Sequence, residues 1–352
     1  DRVSTKTLLH EAIPITGTIV SGTYGVFKAE GNIQNFTHGM FQSVHDYPYL
    51  SSSANHIFDI SFGNSPQSLL NATIQKTKKK NVYNQLAQVL SGYDKDGQIQ
   101  SFDDDGNIVA GGFKINDAVF LTFSRLLVKD EIKKGSFELE LGVAGQFNHP
   151  FSTRIKIADV GADTSYRVNS PAGEYGILYA TSSLENYGAL GGNLKLNSPA
   201  AETLAQGKYW RAGLIYYQAG IVVLTSSVLT TTGAVGGNGY LTDIGNPVLQ
   251  FRTAGQAFCG GTTGSFEAQH ISQSADFFRN RIYNLQFNNT IELNSTVYFC
   301  RVKHNEFNYS ANPTYLSGSQ IRVKGQATDI PISYITSIGL YSADNQLLAV
   351  GK

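Results

Sequence analysis

From Phe278 to Lys352 the chain is written as short apolar runs parted by turn-forming residues: Ile282 to Phe287, Ser295 to Lys303, Gln320 to Lys324, Tyr334 to Tyr341 and Gln346 to Val350. Runs of this length, rich in Val, Ile, Tyr and Phe, are strand text, because β-branched and aromatic side chains fit a pleated, half-buried surface. Between the last two runs, Ser342-Ala343-Asp344-Asn345 supplies turn chemistry, so a closing β-hairpin is predicted. Upstream, the stretch Ser136 to Leu141 alternates strictly. Successive strand side chains point to opposite faces, which assigns Phe137, Leu139 and Leu141 to a core. The fold class expected is mainly β, with sandwich-like sheets, one notable α-helix and long loop excursions.

That helix is predicted over Thr77 to Gly92, where Val82, Leu86, Val89 and Leu90 recur at spacings of three and four and Gly92 provides a stop. Lys76, Lys78, Lys79 and Lys80 lie at its start, opposing the helix dipole, and read as a solvated face rather than a contact to an acidic partner. Residues 1–60, rich in glycine, aromatics and histidine, read as a β-rich arm or subdomain. The core is expected to be discontinuous, from 61–160, 208–229 and 278–352, interrupted by loop-rich insertions at 161–207 and 230–277. Within the first insertion, Ser198-Pro199-Ala200-Ala201-Glu202 has the order of a capped short helix reaching about Ala205. Arg125, embedded in the apolar stretch Ala118 to Val128, is read as a snorkelling surface residue, with a paired buried charge as the alternative.

Composition limits the partners. The chain has 352 residues, ample for a sizeable core, and its 27 basic and 27 acidic side chains cancel. No long-range field therefore draws it to nucleic acid or to an acidic membrane. Charged residues make up only 15%, against about 25% in ordinary soluble domains, so solubility rests on Ser, Thr, Asn and Gln. A neutral surface of this kind suits a protein packed against neighbours, and the composition fits an ordinary all-β extracellular domain equally well. The apolar stretch Ala212 to Leu229 is long enough to cross a bilayer, but Gln218, two glycines and the run Ile221-Val222-Val223 favour a buried strand pair or one long strand.

Catalytic grammar is missing from the sequence. Seven histidines are scattered without a ligand or base partner at motif spacing, and His-Glu-x-x-His, Gly-x-Ser-x-Gly and Cys-x-x-Cys do not occur. His304-Asn305-Glu306 holds acid-base residue types, yet neighbours on a strand face opposite sides. Asp94-Lys95-Asp96-Gly97 and Asp103-Asp104-Asp105-Gly106-Asn107 invite a calcium reading, but glycine falls at position four and the twelfth-position glutamate is lacking, so two Asp-Gly turns are expected instead. Cys259 and Cys300 are either two buried thiols or a pair that only the fold can bring together. No catalytic, cofactor-binding or metal-ligating residue is assigned, and no enzyme activity or cofactor is expected.

The strand text ELNSTVYFCRVKHNEFNYSANPTYLSGSQIRVKG with the hairpin SYITSIGLYSADNQLLAVGK resembles the C-terminal region of virion structural proteins of contractile-tailed bacteriophages, especially marine and cyanobacterial ones. Asn81 to Leu86, Val119 to Arg125, Lys133 to Phe137 and Gly213 to Ile221 look like further pieces of those proteins in the same order. The Tyr334 to Lys352 hairpin alone is also similar to one in tail-fibre and tail-collar proteins. The resemblance implies a non-enzymatic neck, tail or baseplate-associated subunit, located in the virion and partnered by other virion proteins and by copies of itself. It also implies a further segment after Lys352. A receptor-binding or fibre-adaptor protein, using the loops at 161–207 and 230–256 on a host-surface receptor, is the alternative. A depolymerase of host polysaccharide is a third reading.

Overall fold

The computed structural model describes residues 2–15, 31–68, 74–108, 114–143, 153–181, 201–204, 207–225, 270–299, 301, 311–317, 320–321 and 335–352. The fold is mainly β, and its principal feature is one large antiparallel sheet. The chain divides into two compact units, one of Leu8–Leu293 and one of Asp1–Thr7 with Asn294–Lys352.

The sheet is built outward from strands that are apolar on both sides. In β5 (Asp117–Phe123), Val119, Leu121 and Phe123 enter one buried cluster while Ala118 and Phe120 enter a second. A strand covered on both faces reads as a near-continuous apolar run, as this one does. It lies between β4 (His56–Asn64) and β13 (Ile221–Thr225). Beyond β4 come β3 (Gln42–His45) and β2 (Ile33–Asn35), at one edge. Beyond β13 come β12 (Gly207–Tyr216), β10 (Gly173–Thr181), β8 (Thr153–Ala158) and β7 (Glu138–Val143). The order ends with β14 (Ile282–Tyr298) and β1 (Arg2–Pro14). Short strands β6 (Glu131–Ile132), β9 (Arg167–Ser170) and β11 (Ala201–Leu204) pair with β14, β10 and β12 respectively.

β14 and β5 are far apart in this order, yet their side chains meet. The rings of Phe123 and Phe287 lie 5.0 Å apart, and Phe123 and Phe137 6.2 Å. The sheet therefore bends over itself in the manner of a sandwich and encloses the larger cluster, which holds Phe137, Leu139 and Leu141 as the alternation requires. Val222 and Leu224 join them, and β12 and β13 form the strand pair expected in the apolar stretch after Ala212. Among the described residues no helix is long and apolar enough to span a membrane.

The outer face of the bend is closed by α1 (Lys76–Leu90), which buries Val82, Tyr83, Ala87 and Leu90 against Phe102, Phe120 and Tyr216. Gly63 on β4 makes this approach possible, since a Cβ there would sit 2.9 Å from the Tyr83 backbone nitrogen. Gly92 ends the helix at φ +81°, its N–H bonded to the Ala87 carbonyl. The buried face differs from the expected one. Tyr83 and Ala87 replace Val89, which is exposed, and Lys79, expected in a solvated start, is buried. Lys79 precedes Val82 and Tyr83 by one helical turn and is carried inward with them.

Other differences have local causes. Strands β2 to β4, read as part of an arm, pair in order into the main sheet. Arg167–Ser170 and Gly173–Thr181 are strands where loop was expected. The glycines that suggest a loop there serve close approach, because a Cβ on Gly176 would overlap the Tyr217 hydroxyl. Ala201–Leu204, expected as a helix, pairs with Gly207–Trp210, so cross-strand bonding outweighs the local cap signal. A second sizeable helix, α4 (Ile271–Arg281), stands in the region expected to be loop. The short helices α2 (Arg125–Val128) and α3 (Ala162–Ser165) complete the described helices of the larger unit.

In the smaller unit the predicted hairpin is present as β17 (Ile338–Tyr341) and β18 (Leu347–Gly351), after the short pair β15 (Leu316–Ser317) and β16 (Gln320–Ile321). Its turn places Asn345 at φ +59° and closes with the Ser342 N–H on the Gln346 carbonyl. The hairpin belongs to this unit and not to the large core, contrary to the single discontinuous domain expected. Its apolar side chains, among them Ile338 and Leu347, are exposed and join neither buried cluster.

Candidate functional site

The segment between α1 and β5 gathers three adjacent carboxylates with displaced pKa values, Asp103, Asp104 and Asp105. It is fixed by one buried phenol: Tyr83 donates to the Ile115 carbonyl at 2.6 Å and accepts from the Phe102 N–H at 3.2 Å. The first Asp-Gly turn follows, with Asp94 Oδ1 accepting from the backbone N–H groups of Asp96 (2.9 Å) and Gln98 (2.8 Å). The second turn places Asp103, Asp104 and Asp105 with carboxylate oxygens within 4.8 Å of one another.

Three carboxylates this close would favour a cation, and the chain supplies two of its own. Lys114 pairs with the fully buried Asp103, and Arg211 lies 3.4 Å from Asp104. Burial pushes Asp104 up to about 6 against the pull of Arg211. Burial and a hydrogen bond that its protonated form donates to Asp105 raise Asp103, whereas in Asp105 burial is outweighed by accepting that same hydrogen bond and by the Asn107 N–H. The acidic run thus works as turn chemistry with internal counter-charges.

Beside it opens a cavity of about 320 Å³. Its described lining combines Ile99 and Ile108, both packed on the outer core cluster, with the polar Gln67, Asp94, Gln100, Ser101, Lys114 and Asn116.

A separate buried carboxylate, Asp159, sits just past the end of β8. Phe137 N–H donates to its Oδ1 at 2.9 Å, and Gly135 N–H and the Tyr217 hydroxyl donate to its Oδ2 at 2.7 and 3.1 Å. Burial raises its pKa to about 7 even so, the donors only partly compensating. Nearby, Lys134 is paired with Glu174 at 2.5 Å and Glu131 at 3.4 Å, and lies over the rings of Tyr166 and Tyr217. These contacts tie the turn before β7 to β8 and to the β12–β13 connection.

Histidines that look scattered in sequence are in part brought together. The β3–β4 register opposes His45 to His56, with ring centroids 5.7 Å apart, and His56 Nε2 lies 2.8 Å from Asp59 Oδ1. Ser43 Oγ donates to that same oxygen at 2.5 Å. The carboxylate thus stands between serine and histidine, an order that cannot pass a serine proton to the imidazole. Arg125 is exposed and donates to the Gln218 carbonyl at 2.5 Å. Cys259, Cys300, His304, Asn305, Glu306, most of 182–206 and all of 230–256 lie outside the described residues. The pairing of Asp159 with two distant backbone N–H groups had no sequence signal, since its partners arrive from another turn. α4 did have one, in Ile271, Ala275, Phe278 and Ile282 at helical spacing, with Gln273 accepting from the His270 N–H.

No protein-family model, curated protein or solved structure matches this chain.

Proposed function

We propose that this chain is a non-enzymatic structural component of a tailed-bacteriophage particle, neck, tail or baseplate-associated, that works through subunit interfaces. The observation that carries the reading is the two-part character of β14. Its first half buries Ile282, Leu285 and Phe287 completely, while Leu293, Val297 and Tyr298 further along are about half exposed, followed by Phe299 at 61%. Apolar side chains concentrated along one strand, with the hairpin β17–β18 exposed as well, mark a surface that other protein covers, because a two-stranded ribbon is marginal in water by itself. The zero net charge favours association in the same direction. The resemblance of the ordered sequence segments to phage virion proteins is what supports a phage particle as that assembly. Mass spectrometry of purified phage particles tests it: the expected result is this protein at a stoichiometry of several copies per particle, and its absence from intact particles overturns the reading.

A further inference from the structure

The cavity beside the aspartate turns has a lining that selects its ligand by elimination. Gln67 and Gln100 both line it, and no hydrogen bond joins either side-chain amide to another described residue. Asn116 spends its Oδ1 on the Ser65 hydroxyl at 2.7 Å, which leaves its NH₂ directed elsewhere. Asp94 spends Oδ1 on two backbone N–H groups and keeps Oδ2. Lys114, the one cation among the described lining residues, is neutralised by buried Asp103.

An anionic ligand therefore finds no uncompensated positive charge here and meets Asp94 instead. A cationic one finds a single carboxylate oxygen, Asp94 Oδ2, among the described lining groups, the rest being uncharged or already paired. A wholly apolar one would strip water from three amides and give nothing back. What remains is a neutral molecule with many hydroxyls, each able to donate and accept, as a carboxamide also can. The apolar lining residues Ile99 and Ile108 suit the C–H face of such a ring. At about 320 Å³ the volume is at the small end of ligand pockets.

We propose that this cavity binds a small neutral saccharide, one or two sugar rings in size, through Gln67, Gln100, Asn116 and the free oxygen of Asp94. The described lining belongs wholly to the larger unit and uses none of the exposed strand residues, so the inference holds or fails independently of the virion reading. Saturation-transfer NMR and calorimetric titration of the full chain test it, with the methyl glycosides of glucose, galactose, mannose and N-acetylglucosamine as probes and glucose 6-phosphate as the charged control. The expected result is transfer to ring C–H protons of at least one neutral glycoside, with affinity weakened about tenfold by Gln67→Ala with Gln100→Ala, two lost hydrogen bonds. Both positions are at the surface, and an unchanged circular dichroism spectrum certifies the fold of the variant. Silence from all four glycosides, an affinity untouched by the double substitution, or tighter binding of the phosphorylated sugar overturns the proposal.

Discussion

Asp159 sets burial against hydrogen bonding within one carboxylate. Three donors favour the charged form, and near-complete burial opposes it, lifting the pKa from 3.8 to about 7. A group whose folded value is raised stabilises fully below its unfolded value and loses that contribution as pH rises through the folded value. The interval from 3.8 to about 7 corresponds to roughly 4 kcal/mol, of which roughly 3 kcal/mol falls between about pH 5 and about pH 8. Asp159→Asn removes the titration and keeps the size. With its oxygen toward the Phe137 N–H, the new amide hydrogens confront the Gly135 N–H, a mismatch of about 1–3 kcal/mol at every pH. Urea unfolding followed by far-ultraviolet circular dichroism should find the variant less stable than the parent at about pH 5 and equal to it or ahead by about pH 8. A deficit that is the same at both pH values, or that widens at the higher one, would show that the three donors hold the group ionised and would refute the reasoning.

Three further substitutions probe the outer face. Gly63→Val places a branched side chain where the Tyr83 backbone passes, and should cost about 1–3 kcal/mol and lower Tm by several degrees; an unaltered Tm means that α1 is not seated on β4. Tyr83→Phe strands the Ile115 carbonyl and the Phe102 N–H, for a loss of about 1–3 kcal/mol, and hydrogen exchange at the Phe102 amide should accelerate. Lys114→Met leaves Asp103 buried without its counter-charge, so denaturant titrations should show a loss of about 3–5 kcal/mol at alkaline pH that shrinks in acid, where Asp103 takes up a proton. Equal losses across the pH range would argue that the pair is not the source.

What could be read from the sequence follows from periodicity. Alternation alone assigned Phe137, Leu139 and Leu141 to the core, the spacing of Val82, Leu86 and Leu90 located α1, and the Asp344-Asn345 turn located the final hairpin. Each of these signals is local, because a strand or helix displays its buried face within a few residues. The tertiary structure decided the rest. It turned Tyr83 and Lys79 inward in place of Val89, joined β2–β4 to the main sheet, bent that sheet until Phe287 met Phe123, and set Lys114 and Arg211 against the aspartates. These are pairings across tens to hundreds of residues, and no local pattern specifies them. The saccharide pocket belongs to the fold alone, since Gln67, Gln100 and Asn116 share a cavity only after β4, α1 and β5 have packed.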